Sequence, residues 1–128
     1  MIYKSELLEA IIEGVSLLVA DLETGEILYA SRPLEELFGY YIRNELTGRC
    51  VDELLPENMR VSHVAHRQTF AQQPRVRPMG AGLNVSGQRN GGEVFPVEVT
   101  LSAAVISGKK CVVVTVISME KRLNKKPA

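Results

Sequence analysis

Apolar residues occupy every second position from residue 95 to residue 103, and most positions between them are polar. The apolar residues are Phe95, Val97, Val99, Leu101 and Ala103. A period of two predicts a β-strand with one face toward a core and the other toward water or a partner. A second alternating stretch, from Leu83 to Gln88, predicts the strand before it. Between the two, Asn90-Gly91-Gly92 favours a tight hairpin turn, because asparagine and glycine accept positive φ angles.

Shorter apolar runs predict three further strands. The first extends from Ser16 to Asp21 and the second from Glu26 to Ala30, with a turn at residues 22–25 between them. The last extends from Cys111 to Ile117 and carries apolar residues on both faces. We therefore expect this last strand in the centre of a sheet.

Helical spacing of apolar residues is found at the N-terminus and in the middle of the chain. An amphipathic helix is predicted from Tyr3 to Ile12, short helical segments at residues 32–38, 44–48 and 51–55, and a longer central helix from Glu57 to Gln72. Pro33 falls in a first helical turn, where its missing N–H breaks no hydrogen bond. The order of elements predicts an α+β domain, in which a five-stranded antiparallel sheet carries short helices on one face, together with the N-terminal helix.

The composition fits one folded domain with a sizeable core. The chain has 128 residues, of which 45% are hydrophobic. We divide it into an N-terminal helix at 1–13, the main domain at 14–119 and a basic tail or start of a linker at 120–128. Lys and Arg number 15 and Asp and Glu number 15. This balance lacks the basic surface typical of nucleic-acid binding, and it gives no reason to expect direct contact with a membrane.

Cysteine usage and the lengths of the apolar segments bear on localisation. Cys50 and Cys111 form no metal or redox motif and are expected to be reduced, mostly buried thiols. The sequence shows no secretory signal and no run of about 18 apolar residues that would cross a membrane. The expected location is therefore the cytoplasm.

Five short phrases, in this order along the chain, resemble the PAS family of sensor domains. They are residues 22–30 (LETGEILYA), 36–40 (ELFGY), 45–48 (ELTG), 54–57 (LLPE), and the hairpin with its GxRxxG turn at 87–92 and FPVEV at 95–99. The resemblance extends from about Leu7 to Arg122. It implies a sensory or regulatory module of a signal-transduction protein, of the histidine kinase or diguanylate cyclase type. Such a module binds a small ligand between the central helix and the sheet and relays the signal to an output domain or partner.

The resemblance also implies a homodimer, because many members of the family dimerise. The sequence shows no Ser/His/Asp or Cys/His arrangement for nucleophilic catalysis, so we expect that the chain is not itself an enzyme. The alternative within the same family is a dimerisation or protein-interaction module without a ligand. The chain departs from the family at three places, where the family often has Asn at position 31, KDG at 90–92 and Asp-Ile-Thr at 118–120. Here these positions hold Ser31, Asn90-Gly91-Gly92 and Ser118-Met119-Glu120. The family's Asp commonly links the sheet to an output helix.

The predicted central helix carries the only two histidines of the chain. At 100° per residue, one narrow stripe of this helix holds Met59, His63, His66 and Phe70. In the resemblance, His63 falls where haem-binding members place their axial histidine, which makes it a candidate haem ligand. The alternative is a hydrogen-bonded core or rim histidine. His63 and His66 have no carboxylate or thiol placed to complete a metal site, so no metal is predicted.

Two residues on the facing strand are candidates for the lining of the same pocket. Leu83 stands where oxygen-sensing members often have arginine, and Met79 lies two residues before the position of a sixth-ligand methionine in other members. Cys50 lacks the sequence context of a flavin adduct, so a flavin would bind only non-covalently. The identity of the cofactor stays open, with haem favoured over flavin. Three arginines, Arg75, Arg77 and Arg89, could hold a carboxylate or phosphate, although we expect them to be exposed.

Overall fold

The computed structural model describes residues 14–60, 77–79 and 85–120, with the backbone alone for 77–79. The strands of this part of the chain are β1 (Leu17–Asp21), β2 (Ile27–Ala30), β3 (Arg77–Met79), β4 (Ser86–Gln88), β5 (Val94–Ile106) and β6 (Lys109–Ser118). One α-helix, α1 (Arg32–Leu37), follows β2, and 3₁₀ helices form at Val51–Leu54 and Glu57–Met59. The predicted N-terminal helix at 1–13, the rest of the central helix beyond Arg60, and the tail from 121 to 128 lie outside the described residues.

The strands form one antiparallel sheet with five positions, in the order β2-β1-β6-β5 and then β3 with β4. β3 and β4 share the fifth position because they pair with successive parts of β5. Met79 is opposite Val99, whereas Ser86 is opposite Pro96. The predicted five-stranded sheet is therefore confirmed, and its last position is divided between two short segments.

The central position predicted for the last strand is confirmed, because β6 lies between β1 and β5. Its alternate residues Val112, Val114 and Val116 are buried in the core. β5 and β6 form a long hairpin closed by Ser107 and Gly108, whose φ angles are 51° and 76°. Two consecutive residues with positive φ are typical of the turn that matches the twist of the strands.

The core lies on one face of the sheet and is closed by α1 and the segments that follow it. The buried apolar side chains are Leu18, Ala20, Leu22, Ile27, Ala30, Leu34, Phe38, Tyr40, Leu46, Leu54, Phe95, Val97, Val112, Val114 and Val116. The predicted inner face of β5 is confirmed at Phe95 and Val97 and becomes progressively more exposed toward Ala103. The far end of the β5–β6 hairpin therefore extends past the core.

α1 begins at Ser31, which is completely buried and acts as its N-cap. The Ser31 hydroxyl donates to the carbonyl of Val15 (2.6 Å) and accepts from the amides of Leu17 (3.0 Å) and Leu34 (3.4 Å). The family's frequent Asn at this position is thus replaced by another good N-cap residue. One hydroxyl fastens the start of α1 to the start of β1.

The segment from 44 to 48 differs from its prediction. The sequence predicts a single helical turn there, but the segment forms non-helical turns because Asn44 adopts φ = 67°. The chain then runs along the free edge of β2, where the amide of Ile27 donates to the carbonyl of Arg49 (2.8 Å) and the amide of Gly48 donates to the carbonyl of Ile27 (2.8 Å). This pairing covers a sheet edge that would otherwise present unsatisfied backbone groups.

Candidate functional site

The residues predicted from sequence as a ligand site fall mostly outside the described part of the chain. His63 and Leu83 lie outside it, and only the backbone of Met79 is described, as the end of β3 opposite Val99. The wall that these residues were expected to face is described. It consists of the inner face of β5, with Phe95 and Val97 buried and Val99 and Leu101 packed against the core.

A second constellation, centred on Arg89, lies where the chain leaves the sheet. Arg89 follows β4 directly and is only 21% exposed. Its guanidinium donates from Nη2 to Glu120 Oε1 (2.6 Å), with a longer contact from Nη1 to Glu120 Oε2 (3.5 Å). Nη1 also donates to Glu93 Oε1 (2.9 Å). One cation therefore joins the turn between β4 and β5 to the second residue after β6.

Arg89 also fixes the C-terminal end of α1. Its Nε donates to the carbonyl of Leu37 (3.0 Å), which is the last residue of the helix. Next to it, the amide of Asn90 donates to the carbonyl of Phe38 (2.8 Å), and its side-chain Nδ2 donates to the carbonyl of Gly39 (3.3 Å). A guanidinium at a helix C-terminus satisfies carbonyls that have no partner within the helix.

The guanidinium of Arg89 packs against a pair of aromatic rings. Arg89 Cζ lies 3.8 Å from the centroid of the Phe95 ring, in cation–π geometry. The rings of Phe95 and Phe38 meet edge to face, with centroids 5.2 Å apart. A Cβ atom on Gly87 would come within 2.9 Å of the Phe38 ring, so only glycine lets β4 pack this closely. Gly87 and Arg89 of the GxRxxG phrase therefore both pack against the same pair of aromatic rings, Gly87 through its backbone and Arg89 through its guanidinium.

The acidic side of the constellation is built at the end of β6. Glu120 accepts from Arg89 and from the hydroxyl of Ser118 (3.1 Å), and that hydroxyl also accepts from the Glu120 amide (3.3 Å). The amide of Met119 donates to the carbonyl of Pro96 (2.9 Å). The carboxylate that the family often has at position 118 is absent, and Glu120 supplies one two residues later.

The electrostatics of the pair favour its charged form. The hydrogen bond from Arg89 is the main reason that the pKa of Glu120 lies below its usual value, and the Ser118 hydroxyl adds to it. The same hydrogen bond raises the pKa of Arg89. The contact is therefore an ion pair at neutral pH, and it can be opened by acid or by a competing charge.

Sequence reasoning underestimated Arg89, which we expected to be a solvated surface residue. Its side chain is instead mostly buried and binds two carboxylates and a backbone carbonyl. The sequence feature that could have indicated its burial is the aromatic Phe95, which lies six residues later on the inner face of the hairpin. Its acidic partner Glu120 gave no signal, because it stands in a departure from the family phrase.

Neither a membrane span nor a metal site is found among the described residues. Within residues 14–60, 77–79 and 85–120, no helix has the length and apolar character needed to cross a membrane. In that part of the chain, no three histidine, cysteine or acidic side chains come together as a metal site. Of the two cysteines, both within the described residues, Cys111 is buried and Cys50 is partly buried, and neither forms a disulfide bond.

The sheet order, the short helices on one face and the helix-to-hairpin packing define an α+β sensor-type fold. The matching family model is described as "PAS domain" and covers residues 14–120. The chain belongs to the PAS domain family. No curated protein matches it.

Solved PAS domains share this fold at low sequence identity. The PAS domain of an HTR-like protein from Haloarcula marismortui is 21% identical, with a TM-score of 0.73 over 89% of this chain and 90% of that one. The PAS domain of nitrogen regulation protein NR(II) from Vibrio parahaemolyticus is 19% identical, with a TM-score of 0.68 over 88% and 97%. A PAS domain from a two-component sensor histidine kinase is 15% identical, with a TM-score of 0.66 over 90% and 99%.

Proposed function

We propose that this chain is the sensory module of a signal-transduction protein. It binds a small ligand between the central helix and the inner face of the sheet, and it relays the binding event through the end of β6 to an output domain. The observation that carries the proposal is the ion pair of Arg89 with Glu120 at 2.6 Å. It connects the hairpin that walls the ligand region to the point where the chain leaves the sheet.

The proposed relay follows from the contacts of Arg89 with Phe95, Glu120 and the end of α1. A ligand that displaces the inner face of β5 moves Phe95, and Phe95 supports the guanidinium at 3.8 Å. The guanidinium in turn positions Glu120. Because the same side chain binds the carbonyl of Leu37, α1 is coupled to the same movement. The names of similar structures support a role of this kind, since two of them are PAS domains from a two-component sensor histidine kinase and from a nitrogen regulation protein.

The ligand is tested first. The purified chain is denatured, and any released small molecule is identified by mass spectrometry. The native chain is also studied by absorption, as purified and after addition of haemin or FMN. A Soret band that is lost in His63→Ala supports haem, and flavin absorbance supports FMN. A chain that releases no small molecule and binds neither chromophore contradicts the sensory proposal.

The relay is tested with whichever ligand is found. Amide NMR shifts of Met119 and Glu120 should change on ligand binding in the wild-type chain. In Arg89→Gln the ligand should bind with similar affinity, but the shifts at the end of β6 should become small. Equal shifts in the two proteins would show that the signal leaves by another route.

A ligand-free dimerisation module is the second candidate, and the outer face of the sheet favours it. Ile117 is 54% exposed on this face, which also carries the half-buried Val113 and Thr115 of the same strand. Sedimentation of the full chain and of a chain without residues 1–12 measures the contribution of the N-terminal segment. A dimer that is unchanged by the truncation argues against that segment as the interface.

A further inference from the structure

A surface pocket of about 290 Å³ lies beside α1 and the loop that follows it. Its lining consists of Arg32, Glu35, Glu36, Tyr40, Tyr41 and Arg43. This volume is just below the usual range for pockets of drug-sized ligands, roughly 300 to 1,000 Å³, so the pocket suits a small group rather than a large molecule. The pocket is distinct from the Arg89 constellation, whose hydrogen bonds go to Glu93, Glu120 and the carbonyl of Leu37.

The chemical signal in this pocket is the carboxylate of Glu35. Its side chain is only 2% exposed, and its Oε1 accepts from Arg43 Nη1 at 2.9 Å. Its other oxygen, Oε2, is buried and is reached by no hydrogen-bond donor of the described residues. A buried acceptor without a donor is unfavourable, so this carboxylate has an unused binding capacity.

The charges around Glu35 indicate the chemical class of ligand that its free oxygen can bind. An anion would bring a further acceptor to an oxygen that needs a donor. A cation with several N–H groups in one plane supplies two parallel hydrogen bonds, which a carboxylate accepts through both oxygens. Arg43 supplies a bond to one oxygen alone. The other charged pair of the lining, Arg32 with Glu36 at 2.9 Å, is exposed and mutually neutralised.

We propose that this pocket binds the guanidinium group of an arginine from a partner protein, by exchange with Arg43. The incoming guanidinium binds both oxygens of Glu35, and Arg43, which is partly exposed, turns into solvent. Because Oε2 is buried, the ligand approaches the carboxylate from the side that Arg43 now occupies.

The rim of the pocket indicates a protein as the source of the guanidinium. Tyr41 is 80% exposed and its neighbour Ile42 is 70% exposed. Aromatic residues and arginine are enriched at the centre of protein interfaces, so an exposed tyrosine beside a site for a guanidinium favours a protein partner. A free guanidinium compound would leave both side chains in water, whereas residues flanking an arginine in a partner would cover them.

The test is an amide NMR titration of the full chain with the blocked tripeptide Leu-Arg-Leu, followed at Glu36, Tyr40 and Tyr41. The matched probes are Leu-Lys-Leu, methylguanidinium and acetate. We expect the arginine peptide to bind most tightly, about tenfold more tightly than the lysine peptide, because ammonium lacks the planar double contact. Equal affinities of the arginine and lysine peptides would overturn the assignment of a guanidinium ligand. If methylguanidinium bound as tightly as the arginine peptide, a partner protein would not be needed as its source. Chemical-shift changes caused by acetate would contradict both parts of the proposal.

Three variants separate this exchange from a purely structural role of Glu35. Glu35→Gln should lose binding of the arginine peptide, whereas Glu23→Gln, which changes an exposed carboxylate outside the pocket lining, should retain it. Arg43→Gln should bind about tenfold more tightly than the wild-type chain, because the internal competitor is gone. Unchanged binding in Glu35→Gln or weaker binding in Arg43→Gln contradicts the proposal. Arg43→Gln remains informative even if the Glu35 variant fails to fold.

Discussion

Ser31 shows how a single buried hydroxyl can hold two elements together. Its Oγ donates to the carbonyl of Val15 and accepts from the amide of Leu17, while it caps α1. Ser31→Ala removes the hydrogen-bond partner of the partly buried Val15 carbonyl and Leu17 amide and of the buried Leu34 amide. We expect a loss of about 1–3 kcal/mol in the free energy of unfolding, measured by urea denaturation.

Ser16 provides the matched control for this prediction. Its hydroxyl is also buried, but it has no hydrogen-bond partner among the described residues. Ser16→Ala removes a polar atom that already lacks a partner, so the variant should be as stable as the wild-type chain or slightly more stable. A loss in Ser16→Ala equal to that in Ser31→Ala would show that the hydrogen bonds of Ser31 are not the cause.

Gly87 is required by packing rather than by backbone conformation. A Cβ atom at this position would lie 2.9 Å from Phe38 Cε1 and 3.2 Å from Phe95 Cε1, both on buried rings. Gly87→Ala should therefore cost about 1–3 kcal/mol, as overpacking of a core does. A Cβ atom on Gly91, in the same turn, would meet no atom within 4 Å, so Gly91→Ala should change stability little. Thermal or urea unfolding of the two variants gives the comparison.

At the scale of elements, the end of β6 is held by an ion pair that depends on pH. The Arg89 hydrogen bond lowers the pKa of Glu120 in the folded chain. A lowered carboxyl pKa stabilises the fold above the pKa of the unfolded chain, and this contribution is lost as the pH falls through the folded value. We expect the contact to persist at neutral pH and to open below the usual glutamate range, about pH 4. Carboxyl ¹³C NMR of Glu120 measures this titration.

The cause of the shift is tested with Arg89→Gln. In that variant the pKa of Glu120 should rise toward the ordinary glutamate value, because its main hydrogen-bond donor has lost its charge. Asp21 is an internal control, since its pKa is lowered chiefly by the backbone amide of Thr24. A shift at Asp21 of the same size as that at Glu120 would indicate a general disturbance of the fold.

Elements whose pattern is local were predictable from the sequence. The strands β1 and β2 and the central position of β6 follow from short apolar runs. The helix α1 follows from Pro33 in its first turn and from Gly39 just beyond its end. The conformation of the segment at 44–48 could not be predicted in this way, because Asn44 adopts a left-handed backbone conformation that the spacing of apolar residues does not reveal. The division of one strand position into β3 and β4 was also missed, since it depends on pairing with β5.

The contacts of the candidate site connect parts of the chain that are distant in sequence. Arg89 binds the carbonyl of Leu37 across 52 residues and Glu120 across 31. Periodicity reports the burial of an element but not the partner of a charged side chain, so the fold could be predicted from the sequence while this network could not. Family resemblance did not compensate, because Glu120 is two residues away from the family's usual aspartate.

For the whole molecule, the structure allows a direct test of whether the outer face of the sheet forms a dimer with a second copy of the chain. Ile117 lies on this face and is 54% exposed, directly opposite Glu98 of β5. If the chain forms a dimer through this face, Ile117→Asp should weaken the dimer at least about tenfold, because an aspartate would be buried against an apolar surface.

The control variant is Val105→Asp, at the tip of the β5–β6 hairpin. Val105 is 72% exposed, and the alternation along β5 places it on the opposite face from Ile117. Its replacement should leave the dimer unchanged while adding the same charge. Sedimentation equilibrium of the wild-type chain and the two variants separates the cases. A dimer weakened equally by both substitutions would point to net charge rather than to the outer face, since a specific interface loses affinity only where the new carboxylate is desolvated.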